Sequence, residues 1–139
     1  MFDSLILGFH LQSIHLPDRP WMNNQNYGIY CLADNIGIGV YRNTRRKISA
    51  WAGYDVIPNS WMLGPINPSL HVGVISGYDS STLHYIAKDG IPHTVTDLKT
   101  YRLFIAPSVS FPINSSKNLF GRITVLPGVV HSQIEWSWK

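Results

Sequence analysis

Hydrophobic and polar side chains alternate along most of this chain. In the segment LILGFHLQ, the leucines and the phenylalanine fall on one face of an extended strand, and His10 and Gln12 fall on the other. The final segment, VVHSQIEWSWK, repeats the pattern, with its tryptophans opposite His131 and Glu135. No segment has the 3.6-residue period of an amphipathic helix. The pattern therefore predicts strands.

Turn-forming residues divide the alternating pattern into about eight short strands. The breaks fall at residues 34–35, 42–47 and 58–68, and the pair Asp89-Gly90 indicates a further hairpin. Short connections between successive strands favour an up-and-down order over a Greek key. The sequence thus predicts an all-β fold, a small antiparallel up-and-down β-barrel of about eight strands.

The composition agrees with this fold class. A chain of 139 residues fits one domain, which we place at 1–139. Glycine and proline together number 20 and aromatic residues number 17, whereas Glu135 is the single glutamate. Such a composition disfavours helices. Charged residues make up only 14% of the chain, which argues against long disordered segments and a coiled coil.

The net charge limits the partners that this protein could bind, and the N-terminal segment bears on its cellular location. The net charge of +3 allows an anionic partner, and it permits nucleic acid without favouring it. The single Cys31 cannot form an intrachain disulfide. The N-terminal segment lacks the features of a secretory signal, so we expect a cytoplasmic protein, or an outer-membrane protein only if a leader was removed.

The alternation does not say which strand face points into the barrel. In a water-soluble barrel, the face with Leu5 and Phe9 would fill the centre. In a membrane barrel, that face would contact lipid, and His10 and Gln12 would point inward. Both arrangements remain open at this stage.

The segment VYRNTRRKISAWAGY, residues 40–54, resembles a stretch of the outer-membrane lipid A palmitoyltransferases. Three further segments resemble strands of that family in the same order: LGFHLQSIH with its histidine, the glycine-rich SLHVGVISGY, and IAPSVSFP with ITVLPG. The resemblance implies an eight-stranded barrel. The same tyrosine-arginine-asparagine pattern also resembles short proteins carried by bacteriophages, which implies a viral source as an alternative.

The resemblance also suggests catalytic residues. In the palmitoyltransferases, a histidine near the first strand and an adjacent aspartate and serine carry acyl transfer from a phospholipid. His10 matches the histidine, Asn43 falls at the aspartate and Thr44 falls at the serine. Threonine keeps a hydroxyl, but asparagine cannot stabilise an imidazolium as a carboxylate does. The alternative role of Asn43 and Thr44 is to satisfy the backbone of a turn.

A basic segment next to these residues suggests a second site. Arg42, Arg45 and Arg46 could clamp an anionic group because each guanidinium offers paired hydrogen-bond donors, and Trp51 and Tyr54 could pack against the ligand. The alternative is a solvated, positively charged hairpin. The six histidines lack metal-ligand spacing, so we predict no metal site, and no cofactor motif is present.

Three functions follow from these observations. We favour a barrel that binds a small or lipid-like anionic ligand at one mouth, without assuming catalysis. The first alternative is an outer-membrane, phospholipid-dependent acyltransferase that uses His10 and Thr44. The second is a phage-encoded accessory protein in the virion or host cytoplasm, which contacts a protein partner or sequesters a nucleotide signal.

Overall fold

The computed structural model describes residues 5–19, 22–56, 65–77, 83–86, 90–95 and 101–138. Within these ranges the chain forms strands and turns, with no helix, so none could cross a membrane. The strands are β1 (Leu5–His15), β2 (Gly28–Ala33), β3 (Ile36–Arg42), β4 (Ile48–Val56), β5 (Asn67–Ser76), β6 (Leu83–Ile86), β7 (Pro92–Val95), β8 (Tyr101–Pro112), β9 (Leu119–Leu126) and β10 (Val129–Trp138).

Eight of these strands close into an antiparallel barrel in the order β1-β10-β9-β8-β5-β4-β3-β2. Barrel neighbours follow one another along the chain, and the pairing of β1 with β10 closes the sheet. The hairpin β6–β7 is inserted between β5 and β8. The predicted all-β, eight-stranded antiparallel barrel is confirmed. Gly90 lies in the predicted hairpin turn, and Asp89 is outside the described residues.

The two ends of the barrel differ. At one end, which we call the His15 end, lie the connection 16–27, the turn 43–47 and the turn 127–128. The connection that contains β6 and β7 also starts and finishes at this end. At the other, the Trp138 end, lie the turns 34–35 and 113–118, the first residue of β1 and the last residue of β10.

The barrel has a polar interior and an apolar exterior. Phe9 is 44% exposed on the outer face, whereas the neighbouring His10 is 8% exposed inside. The structure therefore decides the question that periodicity leaves open, in favour of the inward-facing His10. The buried polar residues of the barrel strands are His10, Ser13, His15, Ser49, Asp55, Ser69, His71, Ser108, Ser110, Arg122, Thr124, His131, Gln133 and Glu135.

Glycines on the inner face make room for large lumenal rings. A Cβ at Gly8 would overlap the ring of Tyr30, and a Cβ at Gly39 would lie 2.6 Å from Trp51 Nε1. Because these positions carry no side chain, Tyr30 and Trp51 can lie across the inside of the sheet. The narrow lumen is thus filled by a few large residues opposite small ones.

A buried ionic cluster connects strands across the lumen. Arg122 Nη1 lies 3.1 Å from Asp55 Oδ2, and Arg122 Nε lies 2.8 Å from Glu135 Oε1. The Tyr30 hydroxyl donates to the same Glu135 oxygen at 2.7 Å. Arg122 on β9 and Glu135 on β10 belong to neighbouring strands, whereas Asp55 on β4 and Tyr30 on β2 come from other parts of the barrel, so the cluster ties together walls that are not adjacent in the sheet.

Candidate functional site

A cavity of about 510 Å³ reaches from the loops of the His15 end into the lumen. Arg122 and Tyr30 line its lower part, and their partners Asp55 and Glu135 lie beyond the lining. The ionic cluster therefore forms the floor of the cavity. The size is within the range of small-molecule sites, which are usually concave and mostly apolar with a few polar groups.

The cavity mouth is basic. Arg19, Arg45 and Arg102 belong to the cavity lining, and among the described residues no aspartate or glutamate does. Of the predicted clamp, only Arg45 is in this lining. Arg42 and Arg46 are exposed on the outside of the turn, where Arg42 Nε donates to the Arg46 carbonyl oxygen at 3.5 Å.

Arg102 and Arg19 were not among the residues predicted from the sequence, for two different reasons. Arg102 could have been found from alternation, because it shares the inward face of β8 with Phe104 and Ala106. Arg19 follows β1 in an irregular loop, and no periodic pattern reports where a loop residue points. Its position at the mouth depends on the tertiary structure.

Asn43 stabilises the β3–β4 turn. It is fully buried, and its Oδ1 accepts hydrogen bonds from the backbone N–H groups of Arg45 at 2.8 Å and Lys47 at 3.0 Å. Its Nδ2 donates to Ser49 Oγ at 3.0 Å and to the Gly77 carbonyl oxygen at 2.8 Å. Both the oxygen and the nitrogen of the side-chain amide are hydrogen-bonded, so these contacts agree with the turn-forming role that was the alternative for Asn43.

Thr44 lies beside a histidine other than the one the resemblance indicates. His15 Nε2 is 2.9 Å from Thr44 Oγ1, and His15 Nδ1 is 2.6 Å from Asn24 Oδ1. Asn24 Nδ2 also donates weakly to Asp18 at 3.5 Å, which fixes the orientation of the amide. Both His15 and Thr44 line the cavity. The sequence therefore identified Thr44 but not its imidazole partner.

A β-bulge explains why both histidines of β1 face inward. His10 and His15 are five residues apart, so strict alternation would place them on opposite faces. The pairing of β1 with β10 shifts between His10 and Gln12, which inserts one extra residue into β1. His15 is consequently 4% exposed and faces the lumen.

His10 lies deeper, in a hydrogen-bonded chain of polar side chains. Trp51 Nε1 donates to His10 Nε2 at 3.4 Å, and Gln133 Nε2 is 3.3 Å from His10 Nδ1. Thr124 Oγ1 donates to Gln133 Oε1 at 2.9 Å and is 3.0 Å from Ser108 Oγ. Both ring nitrogens of His10 are thus engaged by the wall of the lumen.

The predicted aromatic pair is divided between the two faces of β4. Trp51 lines the cavity, with its ring 4.8 Å from that of His71 in an edge-on arrangement. Tyr54 is on the outer face, where its hydroxyl accepts a hydrogen bond from Asn35 Nδ2 at 3.2 Å near the Trp138 end. An odd separation of three residues in a strand requires this division.

The described residues contain no group of three histidine, cysteine, aspartate or glutamate side chains that could hold a metal ion. Comparison of the chain with protein-family models and with curated proteins gives no match. The site is therefore interpreted from its own geometry.

Proposed function

We propose that this chain is a membrane-spanning β-barrel that binds a small anionic or lipid-like ligand in its lumen at the His15 end. The observation that carries the proposal is the inverted polarity, with apolar side chains outside and ionisable or hydroxyl side chains inside. Water-soluble proteins rarely expose large contiguous apolar surfaces, whereas a barrel in a bilayer requires one. For this reason we prefer the membrane alternative to the cytoplasmic one.

Strand lengths support this proposal. A membrane-crossing strand needs about 9–11 residues, and β1, β4, β5 and β10 have 11, 9, 10 and 10. β2 and β3 are shorter, with 6 and 7 residues. The segment before β2 extends this wall of the barrel, because it also hydrogen-bonds to the strands on either side. Ser13 N–H on β1 donates to the Asn24 carbonyl, and Arg42 N–H on β3 donates to the Tyr27 carbonyl.

Aromatic side chains and loop lengths suggest the orientation. Exposed Tyr27 and Tyr101 lie toward the His15 end, and exposed Tyr54, Trp136 and Trp138 lie toward the other end. Aromatic girdles at both interfaces are typical of membrane barrels. The longer connections 16–27 and 77–100 are at the His15 end, as expected of the extracellular side. The ligand would then enter from outside.

Insertion is tested by folding the full chain from urea into phosphatidylcholine vesicles and, in parallel, into buffer alone. We expect trypsin-resistant β-structure with heat-dependent gel mobility in vesicles, and precipitation in buffer. A monodisperse, folded protein in buffer without lipid or detergent would reject the membrane part of the proposal.

Ligand binding is tested by titrating the detergent-solubilised full chain with inorganic phosphate and octyl phosphate and following tryptophan fluorescence. Arg45→Ala should weaken octyl phosphate binding about tenfold, because a charge-assisted hydrogen bond is lost. Arg46→Ala is the matched control, since Arg46 is exposed outside the cavity. Equal effects of both substitutions would contradict a site at Arg45, and saturation by neither of these anions nor by any other phosphate ester would reject the binding proposal.

A second candidate function, acyl transfer from a phospholipid, is favoured by the contacts among Asn24, His15 and Thr44. Because Asn24 offers its oxygen to His15 Nδ1, that nitrogen carries the proton, and Nε2 can accept the proton of the Thr44 hydroxyl. Thr44 Oγ1 would then attack the ester carbonyl, and His15 would return the proton to the leaving alcohol, which leaves the acyl group on Thr44. Water deprotonated by His15 would attack this ester in a second step and release the acyl group as a fatty acid, with the proton returned to Thr44 Oγ1. An imidazole activates a hydroxyl nucleophile in this way.

This candidate is tested with a fluorescent phosphatidylcholine in mixed micelles. Thr44→Ala and His15→Gln should abolish acyl release, whereas Thr44→Ser should retain it because the hydroxyl remains. His10→Gln distinguishes the two histidines: selective loss in that variant would assign the base to His10. Absence of acyl release by the wild-type chain would reject the candidate and leave the binding proposal intact.

A further inference from the structure

Two buried imidazoles in the cavity lack hydrogen bonds. Within the described part of the chain, His131 makes none, although it lines the cavity and is only 7% exposed. His71 Nε2 is also buried without a hydrogen-bond partner. Buried polar groups are normally paired, so each of these side chains has unused capacity to bind a polar molecule.

These imidazoles differ from the other polar groups around them. His10, Gln133 and Thr124 bond to one another or to Trp51 and Ser108, and so satisfy much of their own capacity. His131 has only ring contacts, edge-on to Tyr41 at 6.1 Å and to His10 at 6.3 Å. An alkyl chain in the cavity would leave the imidazole nitrogens of His131 unpaired, which disfavours it as the occupant.

Aromatic rings also line the cavity. Trp51 and Phe104 lie edge-on with centroids 6.4 Å apart, and His71 stacks on Phe104 at 5.4 Å with planes 20° apart. Aromatic faces combined with hydrogen-bonding side chains suit a ring that is apolar on its face and polar at its edge. Sugars and nucleosides have this character.

The separation between the basic mouth and His131 suits a compact ligand. His131 is two residues along β10 from Val129, which follows the turn at the cavity mouth. At about 3.3 Å per residue, this corresponds to about 7 Å along the strand. A phosphate at the mouth and the ring attached to it can therefore reach the arginines and His131 together.

We propose that the lumen binds a phosphate ester of a hydroxyl-bearing ring, a sugar phosphate or a nucleotide. The phosphate contacts Arg45 and Arg19, the ring hydroxyls or heteroatoms bond to His131, and the ring packs against Trp51 and Phe104. The inference rests on the proposed binding function and narrows its ligand from lipid-like anions in general to phosphorylated polar rings.

The test measures the affinity of the detergent-solubilised full chain for inorganic phosphate, octyl phosphate, glucose 1-phosphate and adenosine monophosphate. We expect glucose 1-phosphate, adenosine monophosphate or both to bind at least tenfold more tightly than octyl phosphate. Preference for adenosine monophosphate alone assigns a nucleotide, and preference for glucose 1-phosphate alone assigns a sugar phosphate. Comparable binding of both assigns the shared phosphorylated sugar.

Substitutions at His131 test whether the ring phosphate binds in the cavity. His131→Phe should weaken binding of the preferred ring phosphate about tenfold, the expected loss for about one hydrogen bond, and leave octyl phosphate unchanged. His131→Gln, which keeps a donor and an acceptor, should restore most of the affinity. His131→Leu, which also lacks both, takes the place of His131→Phe throughout if the phenylalanine variant does not fold. Circular dichroism confirms that each variant is folded.

The outcomes of this experiment distinguish failure of the polar-ring inference from failure of the proposed binding function. If octyl phosphate binds in an Arg45-dependent manner and at least as tightly as both ring phosphates, the binding function stands and the polar-ring inference is wrong. Unchanged affinity of a ring phosphate for folded His131→Gln and His131→Phe also overturns it. If no anion binds, both proposals fail.

Discussion

At the scale of single residues, Asn43 shows how one buried amide organises the basic turn. Its four hydrogen bonds hold the backbone of Arg45 and Lys47 against Ser49 and Gly77. This arrangement turns the Arg45 side chain toward the cavity and leaves Arg46 outside, at a positive φ of 62°. The residue compared with a catalytic aspartate therefore positions Arg45, a residue of the proposed binding site.

Replacing Asn43 tests this structural role. Asn43→Ala should lower the free energy of unfolding by about 2–4 kcal/mol, because backbone N–H groups and a carbonyl lose buried partners. Asn43→Asp keeps the two accepted bonds, but it buries a carboxylate and sets an oxygen against the Gly77 carbonyl, so it should also be destabilising. Urea unfolding in detergent micelles measures both values. A fully stable Asn43→Ala variant would contradict the role assigned here.

At the scale of strands, the bulge in β1 and the lumenal glycines decide which side chains meet. The bulge brings His15 to Thr44, whereas His10 remains deeper beside Trp51. Gly39 on β3 faces the ring of Trp51 on the adjacent β4. Residues without side chains are thus as important to the shape of the cavity as the residues that line it.

The Gly39→Ala substitution tests this packing. The added Cβ would lie 2.6 Å from both Trp51 Nε1 and Tyr30 Cβ, so neighbouring groups must move. We expect a loss of about 1–3 kcal/mol in unfolding free energy, the usual cost of overpacking. The loss should be smaller when Trp51 is also replaced by phenylalanine. Equal losses in both backgrounds would show that Trp51 is not the obstacle.

At the scale of the whole molecule, the ionic cluster links strands across the lumen. Arg122 is buried between Asp55 and Glu135, and Glu135 also accepts the Tyr30 hydroxyl hydrogen bond. Glu135→Gln should cost about 1–3 kcal/mol of unfolding free energy, because two charge-assisted hydrogen bonds to the carboxylate are weakened. Tyr30→Phe removes only a hydrogen bond to the carboxylate and should cost less.

A double-mutant cycle separates this coupling from general damage. Glu135→Gln combined with Arg122→Met should cost less than the sum of the single substitutions, because the two residues contact each other. Unfolding of all four proteins in the same micelles gives the coupling free energy. Strict additivity would contradict the cluster as a unit.

The apolar exterior gives a further prediction for the whole barrel. Ile105 is 62% exposed on the outer face in the middle of β8, so Ile105→Arg should lower stability in vesicles by about 2–4 kcal/mol. The control is Ser115→Arg, in the exposed turn 113–118, where we expect little change. An Ile105→Arg variant as stable as the control would argue against a lipid-facing surface.

Local pattern predicted the fold well and the site only in part. Alternation identified the extended segments, and of the candidate site residues His10, Thr44, Arg45 and Trp51 line one cavity. Arg42 and Tyr54 were grouped with them by sequence proximity, yet they point outward. Neighbours along a strand face opposite sides, so closeness in sequence does not imply a shared site.

By itself the sequence determined the strands and the division of each strand into an apolar and a polar face, because both depend on a period of two residues. Only the tertiary structure decided which face is inside, since closure of β1 onto β10 selects one face for all eight strands together. It also decided that His15 meets Thr44 and that Arg122 meets Asp55. These contacts join residues distant in the chain, the first through a bulge and the second across the closed barrel, and no local pattern reports them.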